Sequence, residues 1–278
     1  MTTNLASAIR ENVKAALEED LGRGDLTAKL ISPGARAKAT VITREAAVLC
    51  GTSWFEACFR KLDPKVKIRW TAKDGDNIHA GQALCEIKGK ARALLTAERT
   101  ALNFLQLLCA TATRTRRYAE AVKGTRAAIM DTRKTLPGLR IAQKYAVRVG
   151  GGKNQRFGVF DGVLIKENHI IASGSVAQAL QRAQKLAAGK VPIQIEVENF
   201  QQLQQALNAG AKLMLLDNFN VDQMREAVRI VAGRAELEAS GGINLENVRA
   251  VADTGVDRIS IGSLTKDVKA VDLSMRFE

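Results

Sequence analysis

Residues Ile193–Phe219 read "IQIEVENFQQLQQALNAGAKLMLLDNF". The stretch opens on a short apolar run, Ile193, Ile195 and Val197, which ends among acidic and amide side chains. An amphipathic segment follows, passes Gly210, and gives way to a second apolar run that ends in Asp217. A strand, a helix and another strand in so short a span is close to the smallest unit that can build a parallel sheet.

The same pattern recurs on both sides. "AAIMDTRKT" (Ala127–Thr135) and "GVLIKENHI" (Gly162–Ile170) precede it; "AELEASGGI" (Ala235–Ile243) and "RISIGSLT" (Arg258–Thr265) follow. Each is an apolar run ending in charged or small polar residues, with amphipathic segments such as "SVAQALQRAQKLAAG" (Ser175–Gly189) between them. From Glu196 onward, successive run ends lie about 21 to 23 residues apart. That repeat predicts a parallel barrel of β/α units, whose functional face is the carboxyl end of the strands. Asp131, Arg133, Lys134, Lys166, Glu196, Asp217, Ser240 and Gly262 would converge there. Taken singly, a charged residue after a strand is often only a solvated loop residue. Six strand ends carrying matched groups make the stronger signal.

The first hundred or so residues are organised differently. Leu5, Ile9, Val13 and Leu17 have helical spacing, "ARAKATVITREAAVLCG" partly alternates as a strand does, and "FEACFRKL" is helical. "VKIRWTAKDGDNIHAGQALCEIKG" predicts strands joined by turns at Gly75 and Gly81. A long helical segment then carries Leu94, Ala97, Ala101, Leu105 and Leu108 on one face. A domain boundary is expected within or just before it, drawn between residues 104 and 105.

Composition narrows the function. The chain has 278 residues, 46% hydrophobic and 26% charged, enough for a substantial ordered core. No stretch approaches the roughly 20 apolar residues of a membrane span, and the amphipathic N-terminus does not resemble a signal peptide. A cytoplasmic protein is expected. Cys50, Cys58, Cys85 and Cys109 are scattered among apolar neighbours without a C-x-x-C pair, which suits buried thiols better than a zinc site. The net charge of +13 suits a polyanion. Nucleic acid usually wants aromatic stacking partners beside the cations, and aromatics are only 4% here. A small anionic ligand is favoured over nucleic acid.

"VRVGGGKNQRFG" (Val147–Gly158) invites a phosphate-loop reading, but such a loop needs a glycine five residues before its Gly-Lys pair and Ser or Thr after it. Val147 and Asn154 stand there instead. The strand ends offer better chemistry. Turns of small residues, Ser240–Ile243 and Ile261–Thr265, suit a phosphate. Glu196 and Asp217 suit hydrated Mg²⁺ or a ribose diol. Arg133, Lys134, Arg156 and Lys166 suit a second ligand bearing carboxylates.

Beside that reading stands a resemblance. "MDTRKTLPGLR", "KYAV", the glycine triplet, "LIKENHI", "EVEN", "LLDNF" and "IGSLT" together resemble the quinolinate phosphoribosyltransferase family. "EEDLGRGDLTAKL", "TAERTALNFLQ" and "AVDLSMRFE" extend the likeness over nearly the whole chain. It implies an N-terminal α/β sandwich (1–104), an incomplete, open TIM-like α/β barrel (105–265) and a tail (266–278) returning to the first domain. It also implies a homodimer, or a higher homo-oligomer, in which Arg99 of one subunit reaches the other's active site. The implied reaction joins quinolinate to phosphoribosyl pyrophosphate (PRPP) with loss of CO₂ and pyrophosphate, and with Mg²⁺ as cofactor.

By the same resemblance, Arg99, Arg133, Gln155, Arg156 and Lys166 would hold quinolinate, Thr132 would be a further substrate-binding residue, and Lys134 would lie nearer the pyrophosphate. Lys134, Lys166, Glu196 and Asp217 would be catalytic, the two carboxylates meeting the ribose hydroxyls and the metal through water. Ser240, Gly241, Gly242, Ile261, Gly262 and Ser263 would cradle the 5-phosphate. One position departs from the pattern: the family has Asn-His-Arg where this chain has Asn154-Gln155-Arg156. Glutamine donates a hydrogen bond but cannot become cationic. A related transferase acting on nicotinate or another anionic ring is the nearest alternative, although Arg133, Arg156 and Lys166 together exceed what one carboxylate needs.

Overall fold

The computed structural model describes residues 4–278, so Met1–Thr3 of the N-terminal amphipathic segment lie outside it. The chain forms two compact units and crosses between them after Arg116, Lys134, Gly151 and Ser263. The boundary expected between residues 104 and 105 falls inside one continuous helix, α3 (Ala91–Ala121).

In the first unit, α1 (Leu5–Leu21) begins at Asn4, whose side chain accepts the Ser7 N–H, and buries Ala8, Val13 and Leu17. After it come β1 (Arg36–Thr43), β2 (Ala47–Val48), α2 (Thr52–Leu62), β3 (Lys67–Trp70), β4 (Asn77–Ile78) and β5 (Ala83–Lys90). The last strand of the chain, β12 (Leu273–Phe277), pairs antiparallel with β1, giving the sheet order β12-β1-β5-β3. Trp54, Phe55 and Phe59 of α2 and the expected apolar face of α3 fill the core; Leu94, Ala97, Ala101, Leu105 and Leu108 are all fully buried. Cys50, Cys58, Cys85 and Cys109 are free and buried. Burial pushes the Cys58 thiol up to about 12, so it is inert at neutral pH.

The glycine triplet has a packing reason. Helix α4 (Arg140–Val149) ends at Gly150, where an added Cβ would lie 2.4 Å from the Ala112 carbonyl oxygen and 2.6 Å from Thr115 Cβ. Those atoms belong to the body of α3 and cannot step aside. Gly150→Ala is therefore expected to lower unfolding free energy by about 1–3 kcal/mol. Gly34→Ala, with nothing within 4 Å, is the control; equal urea midpoints for the two variants would refute the close-packing account.

The second unit carries the six parallel strands that the repeat predicts: β6 (Ala128–Met130), β7 (Val163–Ile165), β8 (Ile193–Val197), β9 (Leu213–Asp217), β10 (Glu236–Ser240) and β11 (Arg258–Ser260). Helices α5 (Glu167–Ser173), α6 (Val176–Ala187), α7 (Phe200–Asn208), α8 (Val221–Val231) and α9 (Val248–Ala252) lie between them in the chain, and α10 (Ser263–Lys266) follows β11 as the chain returns to the first unit. Ser175, Asn199 and Asn220 cap α6, α7 and α8 by accepting N–H groups of the first turn. The spatial order is β6-β11-β10-β9-β8-β7, so the first strand lies beside the last and the edges are β6 and β7. Lys153 adds one parallel bridge to Met130 outside β6, and the chain then runs directly on to β7. With the separate antiparallel sheet, this matches the expected sandwich and incomplete barrel.

Candidate active site

The strand ends of the second unit surround a cavity of about 370 Å³. Its walls follow from strand geometry, since residues two apart share a face. Lys166 and Leu164 line it from β7 and the residue after it, Glu196 and Gln194 from β8, and Asp217 and Leu215 from β9. Ser240 and Glu238 come from β10 and Ser260 from β11. Thr132, Arg133 and Lys134 follow β6, and Gln155 and Arg156 come from the segment that leads to β7. The apolar residues between them face outward under the helices; Ile195, Leu216 and Ala239 are fully buried.

Local bonds fix the cations. The fully buried Asp131 accepts the Asn154 side-chain amide at 2.6 Å and the Gln155 N–H at 2.8 Å. It thereby holds the turn bearing Gln155 and Arg156 beside β6. Arg156 Nη1 donates to the Gly162 carbonyl at 2.8 Å, and Asp161 accepts the N–H groups of Phe157 and Gly158. Burial first, and Arg133 nearby second, hold the Arg156 guanidinium below its usual value. Two guanidiniums whose charges bear on one another favour an anion bound beside them. Thr132 Oγ1 accepts the Lys134 N–H at 3.0 Å. The Lys134 side chain passes over Gly262, whose missing Cβ would sit 3.0 Å from Lys134 Cδ.

Across the cavity, Lys166 Nζ is 3.0 Å from Glu196 Oε2. Lys166 also starts α5, its N–H donating to His169 Nδ1 at 3.1 Å, so His169 holds the helix end. Asp217 is steered by Asn218, which adopts a left-handed backbone (φ 57°). Its side-chain amide donates to Asp217 at 3.2 Å and its N–H donates to the Ser240 carbonyl. Gly241 must be glycine: its φ is 98°, and a Cβ would lie 2.1 Å from Asn218 Oδ1. With Gly242, also at positive φ, it forms a small-residue turn at the cavity rim.

The cavity therefore gathers Thr132, Arg133, Lys134, Gln155, Arg156, Lys166, Glu196, Asp217 and Ser240 of the sequence-derived set. Gly262 lies against Lys134. Arg99 is exposed on α3 and is not among the lining residues. Sequence reading missed Gln194, Glu238 and Asn218. Gln155 Nε2 donates to both Glu238 oxygens at 2.5 Å, and Gln194 Nε2 donates to Glu238 at 3.0 Å. Burial raises the Glu238 carboxyl, with the bonds from Gln155, Gln194 and Ser260 opposing it. A second groove, of about 380 Å³ in the first unit, offers only Glu19 and Asp20 as charged groups and suits no polyanion.

Comparison with known proteins finds matches over almost the whole chain. Residues 25–109 match the family model described as quinolinate phosphoribosyl transferase, N-terminal domain, and residues 111–276 match the model of its C-terminal domain. A probable nicotinate-nucleotide pyrophosphorylase [carboxylating] of Bacillus subtilis is 42% identical, over 92% of this chain and 89% of its own. The nicotinate-nucleotide pyrophosphorylase [carboxylating] of Mycobacterium leprae is also 42% identical, over 96% of both chains. The solved nicotinate-nucleotide pyrophosphorylase of Francisella tularensis superposes with a TM-score of 0.94 at 42% identity, covering 98% of this chain and 96% of that one.

Proposed function

This chain belongs to the quinolinate phosphoribosyltransferase family, and we propose on that ground that it joins quinolinate to PRPP in de novo NAD biosynthesis. The products are nicotinate mononucleotide, pyrophosphate and CO₂. The observation that carries the proposal is the single cavity in which the Arg133–Arg156 pair faces the Glu196 and Asp217 carboxylates.

The two arginines and Lys166 hold the two carboxylates of quinolinate, so that its ring nitrogen is aimed at C1 of the ribose. As pyrophosphate leaves, C1 gains oxocarbenium character, which the nearby anions Glu196 and Asp217 stabilise while they orient the ribose hydroxyls. Lys134 lies toward the departing pyrophosphate. The 5-phosphate is held by the turn Ser240–Gly242 and by Gly262 and Ser263. Ile261 is a poorer donor than the sequence suggested, because its N–H already bonds to the Met130 carbonyl. Once the nitrogen is alkylated, the cationic ring takes up the electrons of the breaking bond to CO₂, and a proton from solvent replaces the carboxylate. No protein base is required.

Glu196 and Asp217 fit hydrated Mg²⁺. Among the described residues no three His, Cys, Asp or Glu side chains converge as a metal cage, and Mg²⁺ ordinarily binds through one or two carboxylates, substrate phosphates and its own waters. When bound it would neutralise charge on the pyrophosphate. The same proposal includes a homodimer, or a higher homo-oligomer, in which Arg99 completes the neighbour's acid site. It also includes a cytoplasmic setting; no described helix is long and apolar enough to cross a membrane.

The test is a reaction with quinolinate labelled at its 2-carboxylate. Label release that needs both PRPP and Mg²⁺ is expected. Nucleotide from nicotinate, with no release from quinolinate, would establish the alternative substrate instead. A second measurement addresses Gln155. The unperturbed histidine pKa is about 6.5, so Gln155→His should bind quinolinate more tightly at pH 5.5 than at pH 8, beyond any change in the native protein. Indistinguishable pH profiles would remove Gln155 from the acid site.

A further inference from the structure

Two strands and an irregular segment meet on one carboxyl that lines the cavity. Gln155 belongs to the segment that runs outside β6, Gln194 to β8 and Glu238 to β10. In the sheet order these elements do not neighbour one another, so the contact spans the inside of the curl. Gln155 Nε2 lies 2.5 Å from each Glu238 oxygen and 3.3 Å from Gln194 Oε1, and Gln194 Nε2 donates back to Glu238 at 3.0 Å. Glu238 is fully buried and Gln194 nearly so. Arg156 follows Gln155 directly, and its guanidinium is tied to Gly162, the residue before β7. The backbone of this turn is pinned by Asp131; its side-chain direction is set at Glu238.

A buried carboxyl facing a site for dicarboxylic acids is puzzling if it touches the substrate, since it would repel it. It makes sense as an acceptor for amides. We propose that Glu238 is a positioning residue for the pyridine acid: by accepting the Gln155 amide it holds the turn that presents Arg156. The inference rests on the reaction proposed above and deepens it. Its substance is hydrogen-bond acceptance, not charge, so a neutral side chain with an acceptor at the same place should serve.

Four variants test it (Glu238→Ala, Glu238→Gln, Gln155→Ala and the double alanine variant), each measured for quinolinate KM, PRPP KM and kcat, with folding checked by thermal melting. Losing a buried acceptor leaves the amides unsatisfied, an effect of roughly tenfold or more in an equilibrium. Glu238→Ala should therefore raise quinolinate KM about tenfold or more while PRPP KM stays within about twofold. Glu238→Gln should restore quinolinate KM to near the native value. Because Glu238 acts through Gln155, Glu238→Ala combined with Gln155→Ala should be no worse than the more impaired single variant. A merely structural role would lower melting temperature and active fraction without moving one KM selectively. An unchanged quinolinate KM in Glu238→Ala, a Glu238→Gln as impaired as alanine, or full additivity would each overturn the inference. If the native enzyme acts on nicotinate only, the proposed reaction fails, and the same ordering must then appear in the KM for nicotinate. No turnover of either acid overturns both.

Discussion

Arg133→Ala is expected to lower kcat/KM for quinolinate by about 10²–10³-fold, the range for truncating one partner of a sheltered charge pair. Arg133 follows the edge strand β6, and its charge already bears on Arg156. That repulsion is relieved when a dianion sits between the two guanidiniums. With alanine at 133, one fork and Lys166 must serve both carboxylates. The loss should appear chiefly in quinolinate KM, with PRPP KM little changed. Arg133→Lys should recover only part of it, because an ammonium cannot make the paired bonds of a guanidinium. Steady-state kinetics with each substrate varied in turn makes the check. A quinolinate KM within twofold of native would move the acid site elsewhere.

Asp217→Asn is expected to act on the other constant, lowering kcat by about 10²–10³-fold, the usual effect of removing one preorganised group that stabilises transition-state charge. Glu196 shares its charge with Lys166, 3.0 Å away. Asp217 is met instead by the neutral Asn218 amide, so it contributes the less neutralised negative charge to the site. Asparagine keeps the size and loses the charge. Quinolinate KM should therefore hardly move while turnover collapses, and the Mg²⁺ concentration for half-maximal rate should rise. A kcat within twofold of native would contradict the electrostatic role assigned to Asp217.

The six barrel strands were legible because each couples an apolar run to a polar end, and that coupling is local. The caps at Ser175, Asn199 and Asn220 are local too, but the amphipathic stretches alone do not single them out. Gln194 and Glu238 lie inside β8 and β10, away from the polar strand ends that carry the signal. The alternation rule points to them, each two residues before a recognised site residue and on the same face. Asn218 was quoted only as part of a motif; nothing in its neighbours announces a left-handed backbone. Strand order was invisible, since no local pattern says that β6 should pair with β11 rather than β7. Nor could the sequence show that Thr135–Gly151 belongs with the first unit, because that depends on packing between distant segments.

The pairing of β6 with β11 joins residues such as Met130 and Ser260, and β12 joins Met275 to Val41. Both sheets therefore remain incomplete until β11 and β12 have been synthesised. A ribosome-bound chain ending before β11 would leave β1, β6 and β10 each without a partner strand of the finished fold, and each could pair with another copy. Folding here is a closing event that waits for β11 and β12, and contacts of such long sequence separation make that closure slow.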